Sequence, residues 1–227
     1  PFEEIPKYVK DATLALEDTS FYSHMGIRPL STIRAILKNV LTDSSEGGST
    51  ITQQLVKNIF LTKEKKITRK IKEWVLAFKL ERELTKDEIF SLYLNQIPYG
   101  SNAYGIESAA QTFFGKKAKD LSLIETIFLV SLPRAPSYYS PYGKHKEELD
   151  QRAQYTLQRM KNSGFLTESE YEIIKGEKVE FLPPKKGGIL APHFVTEVRE
   201  KLNEMFGEDA VEKEGFKVTT TLDADLQ

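Results

Sequence analysis

Ser122-Leu123-Ile124-Glu125-Thr126-Ile127-Phe128-Leu129-Val130-Ser131-Leu132-Pro133 decides the fold class. Ser122 with Glu125 three residues later is a capping box, so a helix starts here, and Pro133 closes it. The helix is apolar nearly all round, which places it inside a core. It is too short to cross a bilayer, which takes about 20 apolar residues, and it carries Glu125. Helical signals continue on both sides. Upstream, 106–114 is periodic and stops at Gly115, and Thr85 with Glu88 caps a helix ending near Asn95. Downstream, helices are expected over 146–162, stopped before Gly164, and over 167–175.

Further out the pattern holds. Ile5, Val9, Ala12 and Leu16 recur at helical spacing and lead into Glu17-Asp18; Ile33, Ile36, Leu37, Val40 and Leu41 make a second helix. A polar loop follows over 42–48, then a helix beginning after Ser49 and a long one over about 65–84. Pro98 and Gly100 mark a loop. Pro183-Pro184-Lys185-Lys186-Gly187-Gly188 reads as a linker, followed by a helix with Phe194, Val198, Leu202 and Met205. Phe216 to Leu222 carries the one clear period-two strand signal. The body, residues 1–182, is thus mainly α, and 183–227 is a linker with a short β-containing tail.

Composition bounds what such a chain does. Its 227 residues are 40% hydrophobic, too apolar for disorder, and its net charge of −1 offers nucleic acid no electrostatic preference. There is no cysteine, which excludes thiolate metal centres, and with only three scattered histidines a His-rich centre is not expected. The opening Pro1-Phe2-Glu3-Glu4 lacks a methionine and reads as a piece of a longer protein.

Four clusters carry chemistry. In Glu17-Asp18-Thr19-Ser20-Phe21-Tyr22-Ser23-His24-Met25-Gly26, two acids close a helix beside aromatic surface. That suits a general base, and equally a solvated helix end with core aromatics. In Gly47-Gly48-Ser49-Thr50-Ile51-Thr52-Gln53-Gln54, a helix start with glycines and hydroxyls fits either a phosphate site on free N–H groups or an ordinary N-cap. Residues 57–86 hold ten Lys or Arg and four Glu, a net of 10 − 4 = +6. At about 100° per residue Lys66, Lys70 and Glu73 share a face beside Arg69, with Ile67, Ile71, Trp74 and Phe78 expected opposite, in the core. A carboxylate among three cations stays ionised, and the cations can grip a pyrophosphate or simply form helix-surface pairs. Tyr93-Leu94-Asn95 with Asn102 to Glu107 reads mainly as a helix end.

Together these stretches resemble the ordered signatures of family 51 glycosyltransferases. Glu17-Asp18-x-x-Phe21-x-x-His24-x-Gly26 is similar to the first, Gly48 to Gln54 to the second, Arg69-Lys70-x-x-Glu73 to the third, and Tyr93-Leu94-Asn95 to the fourth. Arg152 to Met160 resembles the fifth, with Gln151 where an arginine is usual and Thr156 where an aliphatic residue is usual; no role is drawn from it. The tail from Gly215 to Asp223 is similar to the join with the transpeptidase domain of class A penicillin-binding proteins.

The resemblance implies a lysozyme-like lobe beside a smaller membrane-facing lobe, on the outer face of a bacterial membrane, with an anchor helix before Pro1. It implies lipid II and a growing glycan strand as partners, and moenomycin-type inhibition. By resemblance Glu17 is the general base and Glu73 positions donor groups or cations, or holds a divalent ion such as Mg or Mn. Asp18, His24, Ser49, Thr50, Gln53, Gln54, Lys57, Arg69 and Lys70 line the substrate, and Arg34 meets the acceptor pyrophosphate. Two rivals share parts of this pattern: a lysozyme-like hydrolase or lytic transglycosylase, and a non-catalytic wall-lipid binding module. A hydrolase has no pyrophosphate to stabilise, so the cationic helix argues against it.

The chain holds no Ser-x-x-Lys and no Lys-Thr-Gly, the acyl-serine motifs of a transpeptidase. Labelled penicillin should therefore leave this polypeptide unmodified by mass spectrometry, and a covalent adduct would show that the boundary is misread.

Overall fold

The computed structural model describes residues 2–28, 48–60, 66–184, 192–207, 211 and 218–222. The chain divides into two compact units, Pro1–Pro184 and Lys185–Gln227. In the first, helix α1 (Lys7–Glu17) is followed by α2 (Ile51–Phe60), α3 (Lys66–Glu83) and α4 (Lys86–Gln96). A hairpin of β1 (Pro98–Gly100) and β2 (Ala103–Tyr104) then leads to α5 (Ile106–Phe114), α6 (Leu123–Ser131), α7 (Lys146–Asn162) and α8 (Glu168–Lys175). The second unit contains α9 (Pro192–Phe206), which ends at Gly207 in the left-handed region. The helix expected over 33–41 lies outside the described residues, as does most of the 42–48 loop.

Local signals set the helix boundaries. Thr85, Ser122 and Thr167 each accept from the backbone of a glutamate three residues on, whose carboxylate returns the bond, so α4, α6 and α8 all start on complete capping boxes. The apolar α6 lies in the core and packs against α1, α5 and α7. On another side α2 packs against α3 and α4, and Phe21 meets Phe90 with ring centroids 5.4 Å apart.

Three features differ from the sequence reading. Pro98 and Gly100 belong to a hairpin, whose turn residues Ser101 and Asn102 both have positive φ, 51° and 58°. Such a turn usually announces itself as Asn-Gly, and Ser-Asn does not. Val218 to Leu222 form no strand, because among the described residues of that unit no second strand is present to pair with. The third concerns α3. Its expected core anchors face out: Ile71 is 59% and Phe78 44% exposed, with Val75 exposed between them and Trp74 half-buried. Glu73 and Ala77 are buried instead.

Close packing and charge pairing explain that inversion. Gly26, at φ 77°, passes so near α3 that a Cβ there would sit 2.9 Å from the Ala77 carbonyl oxygen and from Glu81 Cγ. Only a glycine at 26 allows this approach. Beside it, Glu81 accepts from Thr52 Oγ1 at 2.6 Å and from Lys86 Nζ at 2.6 Å, while Lys86 lies 4.4 Å from the Phe21 ring centre. One buried carboxylate thus joins α2, α3 and α4. Glu81→Ala should cost about 3 kcal/mol and lower Tm by roughly 6–12 °C, measured by calorimetry. An unchanged Tm would mean the pair contributes nothing to the joint.

Candidate active site

Glu17 and Asp18 are adjacent, and the fold separates their tasks. Asp18 is only 2% exposed. Its Oδ2 accepts from His24 Nε2 at 2.8 Å and from the Ile51 N–H at 3.3 Å, and its Oδ1 faces Arg28 at 3.5 Å. The Gly26 N–H donates to His24 Nδ1 at 3.1 Å, so Nε2 carries the ring proton it gives to Asp18. Asp18 therefore clasps the 19–28 turn to the first residue of α2.

The start of α2 is closed from inside. Thr50 N–H donates to Gln53 Oε1 at 3.0 Å, Gln53 N–H donates to Thr50 Oγ1 at 3.1 Å, and Thr50 Oγ1 donates to the Gly26 carbonyl at 2.6 Å. This is a capping box built with glutamine. With Ile51 N–H on Asp18, three leading N–H groups of α2 are occupied internally, so the ordinary N-cap describes this helix start and a free phosphate cradle does not. Thr50 and Gln53 are buried, and like Asp18 and His24 they bond to the protein itself.

Glu17 stands at the end of α1 with its side chain 15% exposed. Gln54, one turn into α2, donates from Nε2 to Glu17 Oε2 at 2.8 Å. The buried Tyr93 hydroxyl donates to Gln54 Oε1 at 3.3 Å, fixing the amide's orientation. Burial first, and the Glu17 charge next, push the Tyr93 phenol well above its ordinary pKa, and Tyr99 shifts upward for the same two reasons. Both tyrosines therefore stay neutral beside the carboxylate. On the other side Arg152 Nη2 lies 3.5 Å from Glu17 Oε1. The fourth cluster supports this geometry through its backbone: a Cβ on Gly105 would fall 2.4 Å from the Asn95 carbonyl oxygen.

A second group gathers around α3. Lys70 Nζ donates to Ser49 Oγ and to Glu73 Oε2, both at 2.8 Å, and Arg69 Nε lies 3.4 Å from Glu73 Oε1. Glu73, expected on a solvated face, is 3% exposed. Both of its oxygens face cations, and among the described residues no group of three acidic or histidine side chains could hold a metal ion. Among the described residues the donor set therefore does not fit a divalent site. Lys57 is exposed on the last turn of α2, and Arg34 lies outside the described residues. A cavity of about 710 Å³ lies apart from these groups, between α7, the end of α8 and residues 177–184.

Sequence reasoning left Arg152 without a role. It reaches Glu17 from α7 while its Nε donates to the Ser131 carbonyl at 2.8 Å. Thr156, which departs from the aliphatic residue usual in the fifth motif, shares a 2.8 Å hydrogen bond with Ser131 Oγ. The motif match was the available signal; its partner, 135 positions away, was not.

The site thus combines a shielded carboxylate at a helix end with a cationic cluster drawn in around a hydroxyl, in a mainly helical domain. Residues 1–161 match the family model described as Transglycosylase, and the chain belongs to that family. It is 42% identical over 99% of its length to "Penicillin-binding protein 1A" of Aquifex aeolicus and 41% identical over 99% to that of Vibrio cholerae. A crystal structure of penicillin-binding protein 1A from Haemophilus influenzae aligns over 70% of this chain and 20% of that one, at 25% identity and a TM-score of 0.46. The chain spans 31% and 27% of the two curated relatives.

Because Glu73 is buried between two cations, its removal reaches the fold as well as the site. Glu73→Gln should lower stability by about 1.5–3 kcal/mol through lost charge-assisted bonds. Chemical denaturation checks this, and an unchanged midpoint would place Glu73 outside the structural network.

Proposed function

We propose that this peptidoglycan glycosyltransferase domain polymerises lipid II into β-1,4-linked glycan with inversion at the anomeric carbon. The observation that carries the reading is that one helix start serves both groups: Gln54 of α2 bonds Glu17, and Ser49, just before α2, bonds Lys70. Glu17 is a shielded carboxylate held by Gln54, and Ser49, Arg69 and Lys70 form a cationic group at the start of α2 and on α3. The donor is the growing strand, linked through its reducing-end sugar to a polyprenyl pyrophosphate. The 4-hydroxyl oxygen of an incoming lipid II forms a bond to that anomeric carbon, and its proton passes to Glu17. The bond from carbon to pyrophosphate oxygen breaks, and the leaving group departs with the electron pair.

Ser49, Lys57, Arg69 and Lys70 stabilise that developing charge, and Arg34 meets the acceptor pyrophosphate. Glu73 holds Arg69 and Lys70 in place through its ion pairs. Asp18, His24, Thr50 and Gln53 position α2 rather than touch substrate, and Gln54 orients the base. The hydrolase reading is disfavoured because a cation cluster has no task in cleaving finished glycan.

The exposed Ile71, Val75 and Phe78, with Ile59 and Phe60 on α2, suit a surface that meets the outer face of the bacterial membrane, where the lipid tails lie. No helix among the described residues is long and apolar enough to cross a membrane. In the whole protein the domain is joined, as the relatives' names suggest, to a transpeptidase partner, with 183–227 as linker and junction.

Glutamine at position 17 keeps the side chain's shape and removes its basicity. General-base catalysis contributes about 10²–10⁴-fold, so Glu17→Gln should lower polymerisation of lipid II by at least about 10²-fold while moenomycin-type binding persists. Near-normal polymer yield on a gel would remove Glu17 as the base.

A further inference from the structure

The two oxygens of Glu17 are treated differently. Oε2 receives a 2.8 Å hydrogen bond from Gln54, while Oε1 has Arg152 Nη2 at 3.5 Å. A charge-assisted N–H···O bond closes to about 2.7–2.9 Å, so Oε1 is attended by a cation and still open to a further donor. Arg152 is 8% exposed, and its other contacts explain the distance. Its Nε is committed to the Ser131 carbonyl at the end of α6, and its guanidinium lies 5.4 Å from the Tyr139 ring centre. Thr156 Oγ1, one turn on, donates to the Arg152 carbonyl at 2.9 Å and meets the Ser131 hydroxyl. The guanidinium is thus fixed from behind, with one N–H edge aimed at Glu17. Burial draws its pKa below the ordinary arginine value, and the Glu17 charge is the largest of the influences that oppose that shift.

Arg159, two turns along the same helix, offers a comparison. Its Nε donates to the Ala15 carbonyl at 2.9 Å, so it also docks α7 onto another helix end, yet it makes no described contact with Glu17. Docking the helices therefore does not by itself require a guanidinium beside the carboxylate.

We propose that Arg152 is a positioning residue for the transfer step, holding Glu17 so that Oε1 is the atom that takes the acceptor hydroxyl proton. This rests on Glu17 being the base. The hydroxyl approaches Oε1 on the side that Gln54 leaves free, the new carbon–oxygen bond forms, and the proton ends on Oε1. Arg152 does not touch the sugar; it fixes the direction in which the carboxylate presents its lone pair. Misplacement of a catalytic group by about 1 Å is worth about 10²-fold in rate.

The test is steady-state polymerisation of lipid II by wild type, Arg152→Gln, Arg152→Lys and Glu17→Gln, with moenomycin binding measured on each. Arg152→Gln should lose about 10²-fold in kcat, with KM within about twofold and inhibitor binding kept. Arg152→Lys should recover part of kcat by restoring the charge. An Arg152→Gln enzyme with unchanged kcat, or a loss confined to KM, overturns the proposal. So does a loss of inhibitor binding that Lys does not restore, because that marks a purely structural role. Should Arg152→Gln fail to fold, Arg152→Lys decides: a lowered kcat at constant KM supports the proposal and an unchanged kcat refutes it. Glu17→Gln separates the two readings. If it polymerises normally, the base assignment fails; if it is inactive while Arg152→Gln is not, only the role of Arg152 fails.

Discussion

Asp18 accepts hydrogen bonds from His24 and from the first N–H of α2 and faces Arg28, and the candidate site is built outward from that buried carboxylate. Once Ile51 is tied to Asp18, the register of α2 is set. Gln54, three residues later, then lies within reach of Glu17, the residue just before Asp18 in the chain. Two neighbouring acids thus act in series: one fixes a helix, and that helix returns an amide to orient the other. The cap formed by Thr50 and Gln53 and the bond from Thr50 to the Gly26 carbonyl make the same joint rigid from the other side. A buried carboxylate is tolerable because hydrogen bonds and a cation replace the water it has lost.

The cationic group follows from what α3 turns inward. Glu73 and Glu81 lie two turns apart on its buried side, with Ala77 between them turning its carbonyl toward Gly26. Glu81 is satisfied by Thr52 and Lys86, and Glu73 by Arg69 and Lys70. Both carboxylates bring cations or hydroxyls with them. Lys70 also reaches Ser49, so the hydroxyl that precedes α2 is tied to the cationic helix. Ile71, Val75 and Phe78 of α3 are left facing outward, where an ordinary amphipathic helix would turn its large apolar residues in.

Much of this was legible in the sequence, for identifiable reasons. Capping pairs at Thr85 and Ser122 and the stop at Gly115 are local chemistry, and the helices begin and end there. The apolar α6 could be placed in the core because no polar face was available to expose. What escaped reading depends on distant partners. Nothing near α3 says that its charged side is the buried one; that follows from Gly26 and Thr52, far off in the chain. Glu17 and Asp18 look alike in sequence, and only their three-dimensional neighbours separate them. The fifth motif was visible, yet its target 135 residues away was not.

The position of Glu17 carries an electrostatic difficulty that the surrounding arginines resolve. The C-terminus of a helix presents unpaired carbonyls and a negative dipole end, an unfavourable place for a carboxylate. Glu17 is the last residue of α1, and α6 brings a second C-terminus close by. From α7, Arg159 donates to the Ala15 carbonyl of α1 and Arg152 to the Ser131 carbonyl of α6. Each guanidinium satisfies an end carbonyl that the helix itself leaves open and places positive charge where the dipoles are negative. Arg152 then has an N–H edge left for Glu17 itself. A carboxylate can therefore sit at the rigid end of a buried helix, shielded from water, without facing two helix termini alone. The arginines of α7 are what make that location compatible with a charged group.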